Sequence, residues 1–484
     1  CTLMNSLKSL KPYSVFHYFE EICSIPHTSH HEKQLSDYCV RFAQERSLSC
    51  IQDNMGNLII FAPASPGYEQ KEAVILQGHL DMVGVKTENC DLDLEKDGLR
   101  LLIDGEYLTA EGTTLGGDDG IAVAYALALL DDKEIPHPPL EVVLTVCEEV
   151  GLLGASAMDF SQCKGRRLIN IDSEEEGILT VGCAGGRRAA CRIPVKRNTQ
   201  TGLLCHIRFS GLLGGHSGLE IHKKRGNAIE LLGRFLLFLK KETDYSLVSM
   251  SGGIKENAIP KSSQASILIS EEHLSRAKQA AETFLSYIKT EYGAADPEIH
   301  LELTESAKTT ESAITEASLL SVLTALTFIP CGVQAMSADI PDTVETSLNP
   351  GIIELTEKEL TLRISIRSSV SSSKETLAEK ISLLVNTLGG HTEFQGDYPA
   401  WPYAKESPLR DCCVNVFEEL YRKAPLLQTI HAGLECGILS SKIPGLDCIS
   451  FGPNQLDVHT PDEKLHIPSV ERVWEYLKAV LKAL

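Results

Sequence analysis

Short apolar runs that stop abruptly at an acid or an imidazole recur through the first part of this chain, and they constrain its fold more than any other feature. Ala73-Val74-Ile75-Leu76 leads into Gln77-Gly78-His79-Leu80-Asp81. Leu140 to Val146 leads into Cys147-Glu148-Glu149-Val150-Gly151, and Arg167 to Ile171 into Asp172-Ser173-Glu174-Glu175-Glu176-Gly177. Runs this short, rich in β-branched residues and bounded by charge and turn residues, read as buried strands. Strand side chains alternate faces, so His79 and Asp81 can address one spot. In open α/β sheets that spot, at the carboxyl ends of the strands, is where ligands bind.

Between these runs, Gly112-Thr113-Thr114-Leu115-Gly116-Gly117-Asp118-Asp119-Gly120 opens the apolar helix Ile121 to Leu130. A glycine-rich loop before a helix can cradle phosphate. Here two acids stand at the helix start and no Lys-Ser/Thr follows, which argues against a nucleotide loop. Acids beside glycines at that place suit helix capping or a bound cation. In Glu174 to Glu176 the charges read as solvated, leaving Asp172 as the candidate at its strand end.

The 484 residues suffice for two or three domains. A net charge of −21 opposes binding to phosphate backbones, so no nucleic-acid partner is expected. No apolar run approaches the roughly 18 residues of a membrane span, and no secretory signal opens the chain. Cys1 stands where Met is expected, which points to a start at Met4 or to a trimmed chain. The 15 cysteines are scattered without a C-x-x-C pair, as befits reduced, mostly buried thiols of a cytoplasmic protein.

Ser14 to Ile25 and Glu32 to Arg46 predict amphipathic helices, and His27, His30 and His31 between them read as solvated loop or helix-start residues. From Arg187 the texture changes to alternating strands and helices, and from Tyr398 the first texture returns. Domain boundaries at 1–186, 187–396 and 397–484 follow, with an α+β insert in an α/β protein. Cys205 to Ser210 and Ile299 to Glu305 are among the insert's expected strands. His459, in His459-Thr460-Pro461-Asp462-Glu463, is a distant imidazole available to the same site.

His79, Asp81, the Asp118 loop, Glu148, Glu149, Asp172 and His459 suit divalent zinc, manganese or cobalt. Three or more carboxylates carry too much charge for one ion, whereas two bridged ions would balance it. Adjacent Glu148 and Glu149 offer one general base and one ligand. A rival reading is a non-catalytic protein with a structural metal, which would need no spare base.

These motifs, together with Gly182-Cys183-Ala184-Gly185-Gly186, Gly214-Gly215-His216-Ser217-Gly218 and His431 to Gly437, resemble the dinuclear zinc peptidases. That family includes peptidase T, carnosinase and acetylornithine deacetylase, and the resemblance is greatest to its aminoacyl-histidine dipeptidase branch. It implies a mixed-sheet catalytic domain with an inserted lid or dimerisation domain, hydrolysis of unblocked dipeptides, and a homodimer. By resemblance Asp118 bridges two ions, His79 and Asp172 hold one, and Glu149 and His459 hold the other. Asp81 orients His79, Glu148 is the general base, and His216 steadies the oxyanion. Asn257 and Arg367 bind the peptide, and Gly433 lines its pocket. Asp119 stands where relatives often have Asn and would add negative charge. An N-acyl amino acid deacylase on the same scaffold is the alternative enzyme.

Overall fold

The computed structural model describes residues 7–484, so Cys1 and Met4 lie outside the described residues. The chain divides into two compact units. The first takes the described residues to Cys183, with Trp401–Thr429 and Leu434–Leu484; the second takes Ala184–Ala400 and Ile430–Gly433.

The first unit is built on an eight-stranded mixed sheet, ordered 49–52, 58–62, 140–145, 74–79, 167–170, 447–450, 178–183 and 426–430. The strands Leu140–Thr145, Val74–His79, Arg167–Asn170 and Asp447–Ser450 run parallel at its centre. Their residues are almost all buried, which explains runs of aliphatic residues without polar alternation. Parallel pairing brings the carboxyl ends, with His79, Glu148, Glu149 and Asp172, to one edge.

The helix Gly117–Asp131 packs along the 74–79 strand with nearly every side chain buried. Gly78 permits this approach, since a Cβ there would lie 2.6 Å from both the Ala122 Cβ and the Asp119 Oδ2. Tyr125 of this helix stacks on Trp474 of the helix Ile467–Ala483, with ring centroids 5.7 Å apart. A four-stranded sheet, ordered 455–456, 464–466, 107–110 and 101–104, carries the His459 loop between its first two strands.

The second unit is a nine-stranded antiparallel sheet. Its main path runs 300–314, 197–210, 263–269, 246–252, 344–355, 359–368, 185–194 and 391–398, with 332–336 paired to 344–355. The helices Ala228–Glu242, Leu274–Tyr292, Glu316–Phe328 and Ser371–Thr387 accompany it, around a core that includes Phe209, Phe235 and Phe284. The α/β class with an α+β insert is therefore the architecture found.

Local expectations needed correction in three places. The strands expected at Cys205 to Ser210 and Ile299 to Glu305 extend over Arg197–Ser210 and His300–Ile314. Their extensions pair with each other in a mostly exposed ladder, where no apolar period marks a strand. His27 is 2 % exposed rather than solvated, with its Nδ1 2.6 Å from the Ile25 carbonyl. Glu176 is not free in solvent either: Arg472 donates to both its oxygens at 2.6 and 2.7 Å.

Candidate active site

At the parallel edge of the first unit, two triads of side chains share Asp118. His79, Asp118 and Asp172 form one, and Asp118, Glu149 and His459 the other. Asp118 Oδ1 lies 3.1 Å from His79 Nε2, and its Oδ2 lies 3.1 Å from His459 Nε2. Asp172 Oδ1 is 3.7 Å from His79 Nε2, and Glu149 Oε1 is 2.7 Å from His459 Nε2. Glu148 joins His79 and Glu149 in a third group. All seven first-unit residues singled out in the sequence, Asp81 included, are thus brought together.

The charge balance of this group favours cations. Burial pushes Asp172 up to about 7, with Asp118 and Glu149 adding to it. Burial likewise pushes Glu148 well above, and Glu149 above, the ordinary carboxylate range. Hydrogen bonding to Asp118 and Glu149 raises His459 to about 11. Burial opposes a charge on His79, but Asp118, Asp172 and Asp81 together outweigh it and raise the imidazole. Imidazole nitrogens and carboxylate oxygens at this spacing, with excess negative charge, fit two divalent ions better than one. Asp119 is fully buried beside them, its Oδ2 accepting from the His79 N–H at 3.1 Å. Burial, with Asp172 and Asp118 adding to it, pushes its carboxyl well above the ordinary range.

The ligand-bearing turns are held by acceptors that sequence reasoning missed. Four successive backbone N–H groups around Glu148 each donate to a side chain: Val146 to Asn57 at 3.0 Å, Cys147 to Glu32 at 3.0 Å, and Glu148 and Glu149 to Asp81 at 2.9 and 3.2 Å. These bonds hold Cys147 at a left-handed φ of 53°, unusual for a residue with a Cβ. Glu463 accepts from the N–H groups of Leu115, Gly116 and Gly117 at 2.8, 3.2 and 2.8 Å, tying the His459 loop to the turn before Asp118. His459 itself has a φ of 65°. Around His79, the nearer contact of Asp81 is its main-chain oxygen, 2.9 Å from Nδ1, with the carboxylate at 3.5 Å. A proton on Nδ1 leaves Nε2 as the free electron-pair donor.

The remaining candidates gather in the second unit. His216 pairs with Ala258 in a short ladder that also brings up the exposed Asn257. Its Nδ1 accepts from the N–H groups of Gly218 and Leu219 at 3.1 and 3.0 Å, so the ring proton sits on Nε2. Arg367 is 8 % exposed, not a surface cation, and its Nη1 donates to the Tyr398 hydroxyl at 3.1 Å. Gly433 lies against the same tyrosine ring, where a Cβ would come within 2.7 Å. A Cβ on Gly218 would stand 3.1 Å from Arg367 Nε, 3.1 Å from His216 Cε1 and 2.3 Å from the His431 oxygen. His431 belongs to this group too, with Nε2 2.7 Å from Ser347 Oγ.

The fold and the paired triads define a hydrolase of the peptidase class, and residues 75–483 match peptidase family M20/M25/M40, to which the chain belongs. Among curated proteins it is 38% identical over 483 residues to the cytosol non-specific dipeptidase of Escherichia coli (strain K12), covering 99% of each chain. Among solved structures it matches aminoacylhistidine dipeptidase from Vibrio alginolyticus at a TM-score of 0.93 and 38% identity, over 99% of this chain and 98% of that one. Aminopeptidase PepT from Bacillus cereus ATCC 10987 shares the fold at a TM-score of 0.56 and 15% identity, over 98% of this chain and 99% of that one. The resemblance carried by the motifs is thereby borne out. Among the described residues, no helix is long and apolar enough to cross a membrane.

Proposed function

We propose that this peptidase is a metal-dependent dipeptidase acting on dipeptides with a free amino terminus, Xaa-His among them. The observation that carries the reading is Asp118, whose two oxygens each face a different imidazole at 3.1 Å, each imidazole with a further carboxylate beside it. The 38% identical relatives named as dipeptidases support the substrate class. His79, Asp118 and Asp172 would hold one ion, and Asp118, Glu149 and His459 the other, with zinc the first expectation and manganese or cobalt the alternatives. When bound, such a pair makes water nucleophilic near neutral pH and polarises the scissile carbonyl.

The chain's own groups do the rest. Glu148, whose carboxyl is raised by burial, takes the water's proton and passes it to the leaving amine. Asp81 fixes His79 and the Glu148-Glu149 turn. His216, neutral and protonated at Nε2, donates to the developing oxyanion. Arg367 recognises the terminal carboxylate with its planar fork, Asn257 binds the peptide, and Gly433 leaves room in the pocket. The inserted segment 187–396 is assigned as a lid or dimerisation domain of a cytoplasmic homodimer.

The test compares Glu148→Ala with the parent chain for metal content and for turnover of free and N-acetylated dipeptides. Retained metal with lost turnover of free dipeptides is expected. Preference of the parent for the acetylated substrates would identify a deacylase, and tightly held metal without turnover of either would identify a binding protein.

A further inference from the structure

Beneath the candidate metal ligands, neighbouring strands of the first unit's sheet each contribute one polar side chain to a row: Thr145, Gln77, Asn170, Ser450 and Thr180. None is more than 2 % exposed. The interior of such a sheet is ordinarily aliphatic, and polar atoms there are costly unless every one finds a partner. Gln77 precedes His79 by two residues and Asn170 precedes Asp172 by two, so the row follows the ligands one pleat down.

Hydroxyl and amide chemistry fixes the direction of the row. Asn170 Nδ2 donates to Gln77 Oε1 at 2.6 Å, and Ser450 Oγ donates to Asn170 Oδ1 at 2.5 Å. A hydroxyl has one proton, so at the 2.8 Å contact of Ser173 with Ser450 the donor is Ser173. By the same rule Thr180 is the donor at its 3.3 Å contact with Ser173. At the other end Gln77 Nε2 and Thr145 Oγ1 both donate to one oxygen of Glu435, the latter at 2.6 Å. Glu435 begins the helix Glu435–Lys442 and is 0 % exposed. Every donor in the row therefore points toward one buried carboxylate.

We infer that Glu435 is a positioning residue of the metal site: it anchors the row, and the row sets the heights at which His79 and Asp172 stand. The inference rests on the metal-dependent reading above. If the row only filled the core, weakening it would lower stability and leave metal affinity alone.

Zinc affinity separates these cases. The full chain is stripped with a chelator and titrated with zinc against a chromophoric competitor, and KM and kcat for a dipeptide are then measured at saturating zinc. Glu435→Ala is expected to weaken zinc by about 10- to 100-fold, the usual cost of losing a group that supports a ligand. Glu435→Gln keeps an oxygen for both donors and is expected to restore affinity close to that of the parent. Thr145→Val removes one donor, is expected to fall between them, and stands in if Glu435→Ala does not fold. Zinc binding in Glu435→Ala (or the stand-in) as tight as in the parent, or equal weakening by Gln and Ala, overturns the inference. A parent chain that binds no zinc overturns the metal reading as well.

Discussion

In the first unit, four carboxylates and two imidazoles crowd one sheet edge, and the imidazoles are drawn upward, His459 to about 11. In the second, His216 and His431 share their surroundings with Arg367 and are driven downward. Burial and then the guanidinium lower His216 to about 4, and burial with Arg367 lowers His431 to about 3. One residue type thus serves opposite purposes. Where anions surround it, imidazole belongs to a site that wants cations. Where a cation adjoins it, imidazole stays neutral and offers an N–H without a competing charge.

The sharpest way to break this comparison is to remove the one carboxylate assigned to proton transfer. Glu148→Gln is expected to lower kcat by about 10²- to 10⁴-fold, the usual scale of general acid–base catalysis, while metal analysis still finds two ions. Loss of metal would make Glu148 a ligand instead. Next in size, His459→Ala should leave one ion bound tightly and one weakly in an equilibrium dialysis against chelator. Equal loss of both would mean that the two triads are not separable.

Arg367→Ala sharpens the second half. Losing a charged hydrogen bond to a carboxylate costs about 1.5–3 kcal/mol, so KM for free dipeptides should rise about 10- to 100-fold. Dipeptides amidated at the C-terminus should scarcely change, and an equal effect on both would deny Arg367 the carboxylate. The same variant should raise the His216 pKa from about 4 toward 6.5, seen by NMR titration of the ring protons. The sign follows because the guanidinium disfavours the charged imidazole. In the parent, this depressed pKa gives stability that is full above about 6.5 and is lost as pH falls toward 4.

The smallest expected effect touches neither group. Asn227 caps the helix Ala228–Glu242 by accepting from the N–H groups of Ile229 and Glu230. Asn227→Ala should cost about 1 kcal/mol of stability in thermal unfolding, with zinc content unchanged. A change in zinc content would show that the second unit's stability reaches the first unit's site.

Much of the site was legible because its members obey local rules. His79, Glu148, Glu149 and Asp172 each close an apolar run, and Asp118 sits where glycines open a helix, so strand alternation and turn chemistry expose them. Glu32, Asn57, Glu435 and Glu463 were not legible in these roles, although each is buried at a ligand-bearing turn or strand. They bind backbone N–H groups or buried amides far away in sequence, and such partners leave no mark on the residues that accept from them. Glu463 even stood inside a recognised motif, but nothing local says that its carboxylate caps residues 115–117.

By itself, then, the sequence determined the donor set and the strand ends that carry it, since side-chain chemistry and the two-residue period of a strand are properties of a few neighbouring residues. Only the tertiary structure decided which carboxylates stay free for cations and which are committed to main-chain N–H groups. That choice depends on donors and acceptors separated by tens to hundreds of residues, which meet only once the sheet has paired.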